Sequence, residues 1–365
     1  MPELPPFGRF FLPGPTEVRP EILQAQVGPM MGHRTPQTEA LVGRIQEGLK
    51  DLFRTERPVY ISSSSATGLM EAAIRNGVRE RVLCLVNGAF SERFAKIAQG
   101  CGKEVDILEV EWGDAHRPEQ VREALSSDRH DAVTVVHCET STGVLNPVEE
   151  LARVVHEAGD LALLVDGVTS VGGVPVLTDD WQLDFVLTGS QKALALPPGL
   201  ALGVAQAHML DRARQIPARG IYFDFLEFER NLEKNQTPNT PATSLLYALD
   251  AQLAAIAEET LEARWERHAA MARRTRAWVD EMGEKGLALS IVAPEGYRSD
   301  TVTCLRLPEG WTGPRLCAAL SERGCTVAPG YGKLKDDMIR IGHMGDHTLD
   351  ELETLLGAAE EALSS

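Results

Sequence analysis

For its 53 acidic side chains the chain carries only 36 Lys and Arg, a formal charge of −17 over 365 residues. That shortage of cations argues against a nucleic-acid or anionic-membrane surface, although a small anion can still bind where the local field is positive. The six cysteines, at 84, 101, 138, 304, 317 and 325, include no C-x-x-C pair. Neither a zinc site nor a disulfide frame is expected from them, and they read as reduced, cytoplasmic thiols. No apolar run reaches the roughly 18 residues of a membrane span. The opening "MPELPPFGRFFLPGPTEVRP" lacks the apolar core of a secretory signal. There is no internal repeat and no low-complexity tract. Apolar and charged contents are those of an ordinary globular chain. The length suits one large domain with a smaller one, or two comparable domains.

What is present is a rhythm. In "PQTEALVGRIQEGLKDLFR", residues 36–54, Leu41, Ile45, Leu49 and Phe53 recur at helical spacing. Strand-like runs then follow: "VYIS", "RVLCLV", "DAVTVVHC", "LALLVDG" and "DFVLTGS". Helical stretches such as "FSERFAKIAQGCG" and "VEELARVVHEAG" lie between several of them. Short apolar strands alternating with helices predict an α/β domain with a mainly parallel sheet covered on both faces. A long helical region with a break is expected over 244–286. Beyond it, the strands "LALSIV", "TVTCLRL" and "MIRIGHM" and the helices "PRLCAALSERG" and "TLDELETLLGAAEEAL" predict a small α+β domain. The expected division is an arm over 1–20, a large domain over 21–255 and a small domain over 256–365, with the site in the cleft between the domains.

In parallel sheets ligands sit at the carboxyl ends of strands. Three polar features fall there. Lys192 follows the run "DFVLTGSQ", and a desolvated lysine can act as an amine nucleophile. Asp166 ends "LALLVDG". The stretch "YISSSSATGLMEAAIRN" runs a strand through four serines into a helix, so backbone N–H groups and hydroxyls converge on a helix N-terminus suited to phosphate. Each has an ordinary alternative: a surface lysine, a turn-capping aspartate, a simple helix cap. Together, a phosphate cradle, a carboxylate and a lysine are what pyridoxal phosphate needs. The lysine forms the imine, and the carboxylate keeps the ring nitrogen protonated.

The order of these features resembles the class V aminotransferases of fold-type I, in the serine–pyruvate and alanine–glyoxylate branch. The matching stretches are "LPGPTEVRPEI", "SSATGLMEAA", "NGAFSERF", "HCETSTGVLNP", "LLVDGVTSVGGVPV", "GSQKALALPPG", "TPNTP" and "RIGHMG". The resemblance implies a seven-stranded large-domain sheet and ping-pong transamination between a small α-amino acid, of serine or alanine type, and pyruvate or glyoxylate. It implies that Lys192 carries the cofactor and shuttles the proton, Asp166 pairs with the ring nitrogen and Val168 packs under the ring. Ser65, Ala66 and Thr67 would hold the phosphate, with Gln191 adding a contact. Phe90 would stack on the ring, where relatives often carry tryptophan, and Thr140 would bond the ring hydroxyl. Arg340 would fork onto the substrate α-carboxylate. Asn239 and Thr240 would reach the phosphate of the other subunit of a homodimer.

Two departures stand out. Ala66 replaces a glycine common in relatives, and Thr67 replaces a larger ring-facing residue, leaving more space beside the ring. His33 and Arg34 lie where the phosphoserine aminotransferases carry a His-Arg pair for the substrate phosphate, so a phosphoserine-type donor is one alternative. The other is a lyase of the cysteine desulfurase kind. That would need Cys325 as a mobile nucleophile, yet Cys325 reads as core, and Gln191 stands where that group usually has histidine. A noncatalytic regulator would need a DNA-binding module, and none is read here. Thr240 also reads as a helix N-cap with Pro241 in the first turn.

Overall fold

The computed structural model describes residues 7–127 and 129–364; the first six residues of the expected arm lie outside them. Nine strands come from the first two thirds of the chain: β1 (Val59–Ser62), β2 (Arg81–Val86), β3 (Glu104–Glu109), β4 (Ala132–Val136), β5 (Cys138–Glu139), β6 (Val144–Leu145), β7 (Ala162–Asp166), β8 (Phe185–Gly189) and β9 (Ala201–Ala205). Seven of them form one sheet in the order β1-β9-β8-β7-β4-β2-β3, and β5 and β6 pair separately. Strands β8, β7, β4, β2 and β3 run parallel, and β9 runs antiparallel to both its neighbours.

The physical cause is visible in the strands. Every residue of β1, β4, β7, β8 and β9 is buried, because helices cover both faces of such a sheet and leave no polar side. Edge strand β3 departs from this, with Glu104 and Glu109 exposed, and charges there discourage pairing with another chain. The helix Pro36–Phe53 buries Leu41, Ile45, Leu49 and Phe53, the four residues its spacing singled out. After β1 the chain passes the serines and enters the helix Ala66–Gly77 with Ser65 at its N-cap.

The long helical region is two helices, Thr243–Glu259 and Leu261–Glu284. The break is Thr260, whose positive φ of 70° ends the first helix and whose hydroxyl accepts from Ala263 N–H to start the second. The helix expected from Thr240 starts later, at Thr243 with Ala242 as N-cap. The Ala242 N–H is taken by Ser63 Oγ at 2.9 Å and Thr237 donates to the Asn239 carbonyl, so residues 237–242 stay outside the helix, tied at Ala242 to the serine loop.

Four further strands, β10 (Ser290–Ile291), β11 (Val302–Arg306), β12 (Ala328–Pro329) and β13 (Met338–Gly342), form an antiparallel sheet in the order β10-β11-β13-β12. Only two residues of "LALSIV" pair as a strand; the Leu287 and Leu289 amides bond locally to the Met282 and Leu287 carbonyls instead. A second core, including Trp278, Leu316, Ile339, Ile341 and Leu355, lies under this sheet, and Phe11 is part of it. The arm is therefore tied to the small sheet. Phe11 N–H bonds the Thr326 carbonyl at 2.8 Å, and Gly342 N–H bonds the Phe11 carbonyl at 2.9 Å. Among the described residues no helix is long and apolar enough to cross a membrane.

Candidate active site

Five strands of the large sheet aim their carboxyl ends at one place. Asp166 is the last residue of β7, Lys192 lies three residues past β8, and Thr140 lies four past β4. Phe90 follows β2, and Ser65 follows β1. These ends enclose a cavity of about 370 Å³. Nine of the expected residues line it: Ser65, Ala66, Thr67, Phe90, Thr140, Asp166, Val168, Gln191 and Lys192.

Lys192 is only 8% exposed. Its Nζ donates to the Pro13 carbonyl at 2.5 Å. Burial pulls its pKa down to about 8, and the charge of Arg340 pushes the same way. Asp166 is buried, and its Oδ1 accepts from Val168 N–H at 2.8 Å. Burial raises its pKa to about 7 against that hydrogen bond, with the Glu139 charge adding to the rise. Among the described residues no cation lies within ion-pair distance of Asp166. A buried carboxylate without a cationic partner is costly, and a protonated ring nitrogen is the kind of partner that would relieve it. At the other side of the cavity, the first turn of the helix Ala66–Gly77 has amide N–H groups without intrahelical acceptors. They belong to Ala66 and Thr67, next to the Ser65 hydroxyl. Thr140 Oγ1 sits 2.6 Å from Thr169 Oγ1. A lysine amine, a lone carboxylate and an anion-seeking helix end around one cavity form the donor set of pyridoxal phosphate, and the residues present fit that group.

Arg340 is not on the cavity wall. It stands behind two residues that are, with its Nη1 3.4 Å from the Thr140 carbonyl and its guanidinium 5.4 Å from the Tyr331 ring centre. Its Nε donates to the Pro329 carbonyl. Arg34 lies elsewhere: its guanidinium donates to the Gln236 side chain and to the Thr237 and Pro238 carbonyls, bracing the segment that leads to Asn239 and Thr240. Asn239 and Thr240 are exposed and do not line this cavity. Cys325 is fully buried in the core under the four-stranded sheet, so it is not placed as a nucleophile here.

Sequence reasoning passed over several residues. Glu139, fully buried, accepts from the Phe90 and Ser91 amides, the Ser91 hydroxyl, and the Ser141 amide and hydroxyl. It clamps the start of the helix Ala89–Gly100 to the loop that presents Thr140. A carboxylate three residues past the buried strand β4 is the signal that could have found it. Pro13, Gly14 and Thr16 bind the lysine loop, Thr16 Oγ1 donating to the Lys192 carbonyl at 2.9 Å. Arg93 lines the cavity with Tyr331; its spacing of three from Phe90 already puts the two on one helix face.

A family model described as aminotransferase class-V matches residues 21–330. An uncharacterized aminotransferase of Methanocaldococcus jannaschii is 40% identical, the match covering 96% of this chain and 91% of that protein. The serine–glyoxylate aminotransferase of Methylorubrum extorquens is 35% identical, over 95% of this chain and 88% of the relative. Among solved structures, alanine–glyoxylate aminotransferase from Nostoc sp. superposes with a TM-score of 0.90 at 30% identity, covering all of this chain and 97% of that one.

Proposed function

Because this chain belongs to the aminotransferase class-V family and is a pyridoxal phosphate-dependent aminotransferase, we propose that it moves the amino group of a small α-amino acid, of serine or alanine type, to glyoxylate or pyruvate by a ping-pong route. The observation that carries this reading is the convergence of Lys192, Asp166 and the Ser65–Thr67 helix end on one cavity, with Arg340 behind its wall. The serine–glyoxylate activity of a relative and the alanine–glyoxylate activity of a structural neighbour support the choice of substrates.

Bound pyridoxal phosphate supplies an aldehyde that condenses with amines and a ring that accepts electrons. The chain supplies the rest. Lys192 Nζ, with its proton loosened by burial, is the base that takes the proton from the donor Cα and returns it. Asp166 would hold a proton on the ring nitrogen. Ser65, Ala66, Thr67 and Gln191 would hold the phosphate, Phe90 and Val168 would pack against the ring, and Thr140 would bond the ring hydroxyl. Arg340 orients the α-carboxylate, which its two carbonyl contacts leave free donors to do. The test is a half-reaction screen: purified holoenzyme is mixed with each amino acid and cofactor absorbance is followed. Conversion by alanine or serine is expected, and inertness to both would refute the donor assignment.

The reading extends to a homodimer with shared sites. Asn239 and Thr240 are exposed beside Ser63, and the apolar Val27, Met30, Ile221 and Tyr222 are 78, 82, 79 and 46% exposed. A second copy would cover such side chains and receive Asn239 and Thr240 at its phosphate. Two inactive variants, Lys192→Ala and Asn239→Ala/Thr240→Ala, should then regain activity when refolded together, since one mixed site carries both lesions and the other neither. The free thiols of all six cysteines suit a reducing compartment such as the cytoplasm.

A further inference from the structure

The small-amino-acid reading uses one guanidinium for the substrate. A second guanidinium lines the cavity itself. Arg93 lines it and also lines the adjoining surface pocket with Trp112, Tyr331 and Lys333. Its Nη2 donates to the Tyr331 hydroxyl at 3.1 Å, and its guanidinium stands 4.9 Å from the Phe90 ring centre. Arg340 stacks on the same Tyr331 ring. Two guanidinium groups thus contact opposite features of one tyrosine, the hydroxyl and the ring face, no farther apart than that side chain allows. Among the described residues neither Arg93 nor Arg340 has a carboxylate within ion-pair distance, in a chain where acidic residues outnumber basic ones by 17. The charge of Arg93 reaches both Asp166 and Lys192, lowering the pKa of each.

We propose that Arg93 is a specificity-determining residue, and that it binds the side-chain carboxylate of a dicarboxylic amino donor of the aspartate class while Arg340 holds the α-carboxylate. This rests on the aminotransferase reading of the same site and widens its donor range. A guanidinium held only by a hydroxyl and an aromatic face keeps donors free for a planar anion, and its fork matches a carboxylate bidentately. Lys333, 4.2 Å from the Trp112 ring centre in the adjoining pocket, adds positive field for a dianion approaching an acidic protein. A monocarboxylic donor such as alanine offers Arg93 nothing to bind.

The test compares holoenzyme and Arg93→Gln in two measurements. In half-reactions, the ratio of kcat/KM for aspartate to that for alanine should fall about 100-fold in the variant, the loss expected when one partner of a close charge pair is removed. Arg93→Lys should recover part of it. In calorimetric titrations with unreactive acids, wild-type holoenzyme should bind succinate at least about tenfold tighter than propionate, one charge-assisted contact's worth, and Arg93→Gln should lose the difference. An unchanged ratio, or equal binding of the two acids by wild type, overturns the inference. So does a preference for phosphoserine over aspartate, which would assign the cation to a phosphate. If wild type reacts with no α-amino acid at all, the aminotransferase donor reading fails first; if it reacts with alanine yet ignores the second carboxylate, only the role of Arg93 fails.

Discussion

Lys192 Nζ is held by the carbonyl of Pro13, 2.5 Å away, across 179 residues of sequence. The next residue, Gly14, has φ +122°, and a Cβ placed there would collide with Nζ, Cε and Cδ of the lysine. The positive φ favours glycine, and a Cβ would push the flexible end of the lysine aside. Gly14→Ala should therefore displace the lysine as well as strain the arm, costing roughly 1–3 kcal/mol of stability. Thermal unfolding of the apoprotein and the rate of cofactor capture should both worsen. An alanine variant that captures pyridoxal phosphate at the wild-type rate would show that the arm does not position Nζ.

Lys192 should be the residue that carries the cofactor. Borohydride reduction followed by peptide mapping should place the label on the peptide containing residue 192. With its pKa lowered to about 8, the amine should be increasingly free up to that pH, and capture should level off above it. An ordinary exposed lysine would continue to gain reactivity toward pH 10 and beyond.

Asp166 gives a second pH signature. Its folded-state pKa of about 7 lies above the ordinary 3.8. Its contribution to apoprotein stability is thus complete below the lower value and is lost as pH rises through about 7. Asp166→Asn should flatten that part of the apoprotein's melting-temperature profile. Asp166→Ala should also keep some cofactor but lose most turnover, because the ring nitrogen would be poorly protonated. A kcat within a few-fold of wild type would assign that task to another residue.

Arg340→Ala should cost roughly 2–5 kcal/mol in kcat/KM for α-amino acids, as for truncated buried charge pairs. Cofactor binding should survive, read from the absorbance of the bound group. Unaltered kcat/KM would mean that the α-carboxylate is held elsewhere, with Arg93, which lines the cavity, the next candidate.

Most of the seven-stranded sheet was legible because its inner strands are buried on both faces and read as largely apolar runs. "VYIS" and "RVLCLV" are β1 and β2 to the residue. Strands β3, β5, β6, β9 and β12 were not: β3 carries exposed charges, and β5, β6 and β12 are two residues long, too short to carry a period. The helix start at Thr243 was legible to within a residue of the expected 244, but the reading of Thr240 as its N-cap failed, since Ser63, 179 residues before Ala242, takes the Ala242 N–H instead. For the site, Lys192, Asp166 and the serine loop were visible since each sits at a strand end. Glu139 and Arg93 were hidden for opposite reasons. One is a charge whose partners are mostly backbone amides, which the sequence does not display. The other looks like any arginine on a surface helix until the fold brings Tyr331 against it.

The arm has a consequence for the order in which the molecule can be built. Residues 9–11 bond to Thr326 and Gly342, and residues 13–16 then lie on the lysine loop. The beginning of the chain thus cannot settle until nearly the last of it has left the ribosome. A nascent chain long enough to fold the whole large sheet would still present Lys192 without its carbonyl partner. Prematurely terminated products that end before residue 338 should accordingly be recognisable by an unanchored, protease-sensitive N-terminus, at the far end of the chain from the lesion.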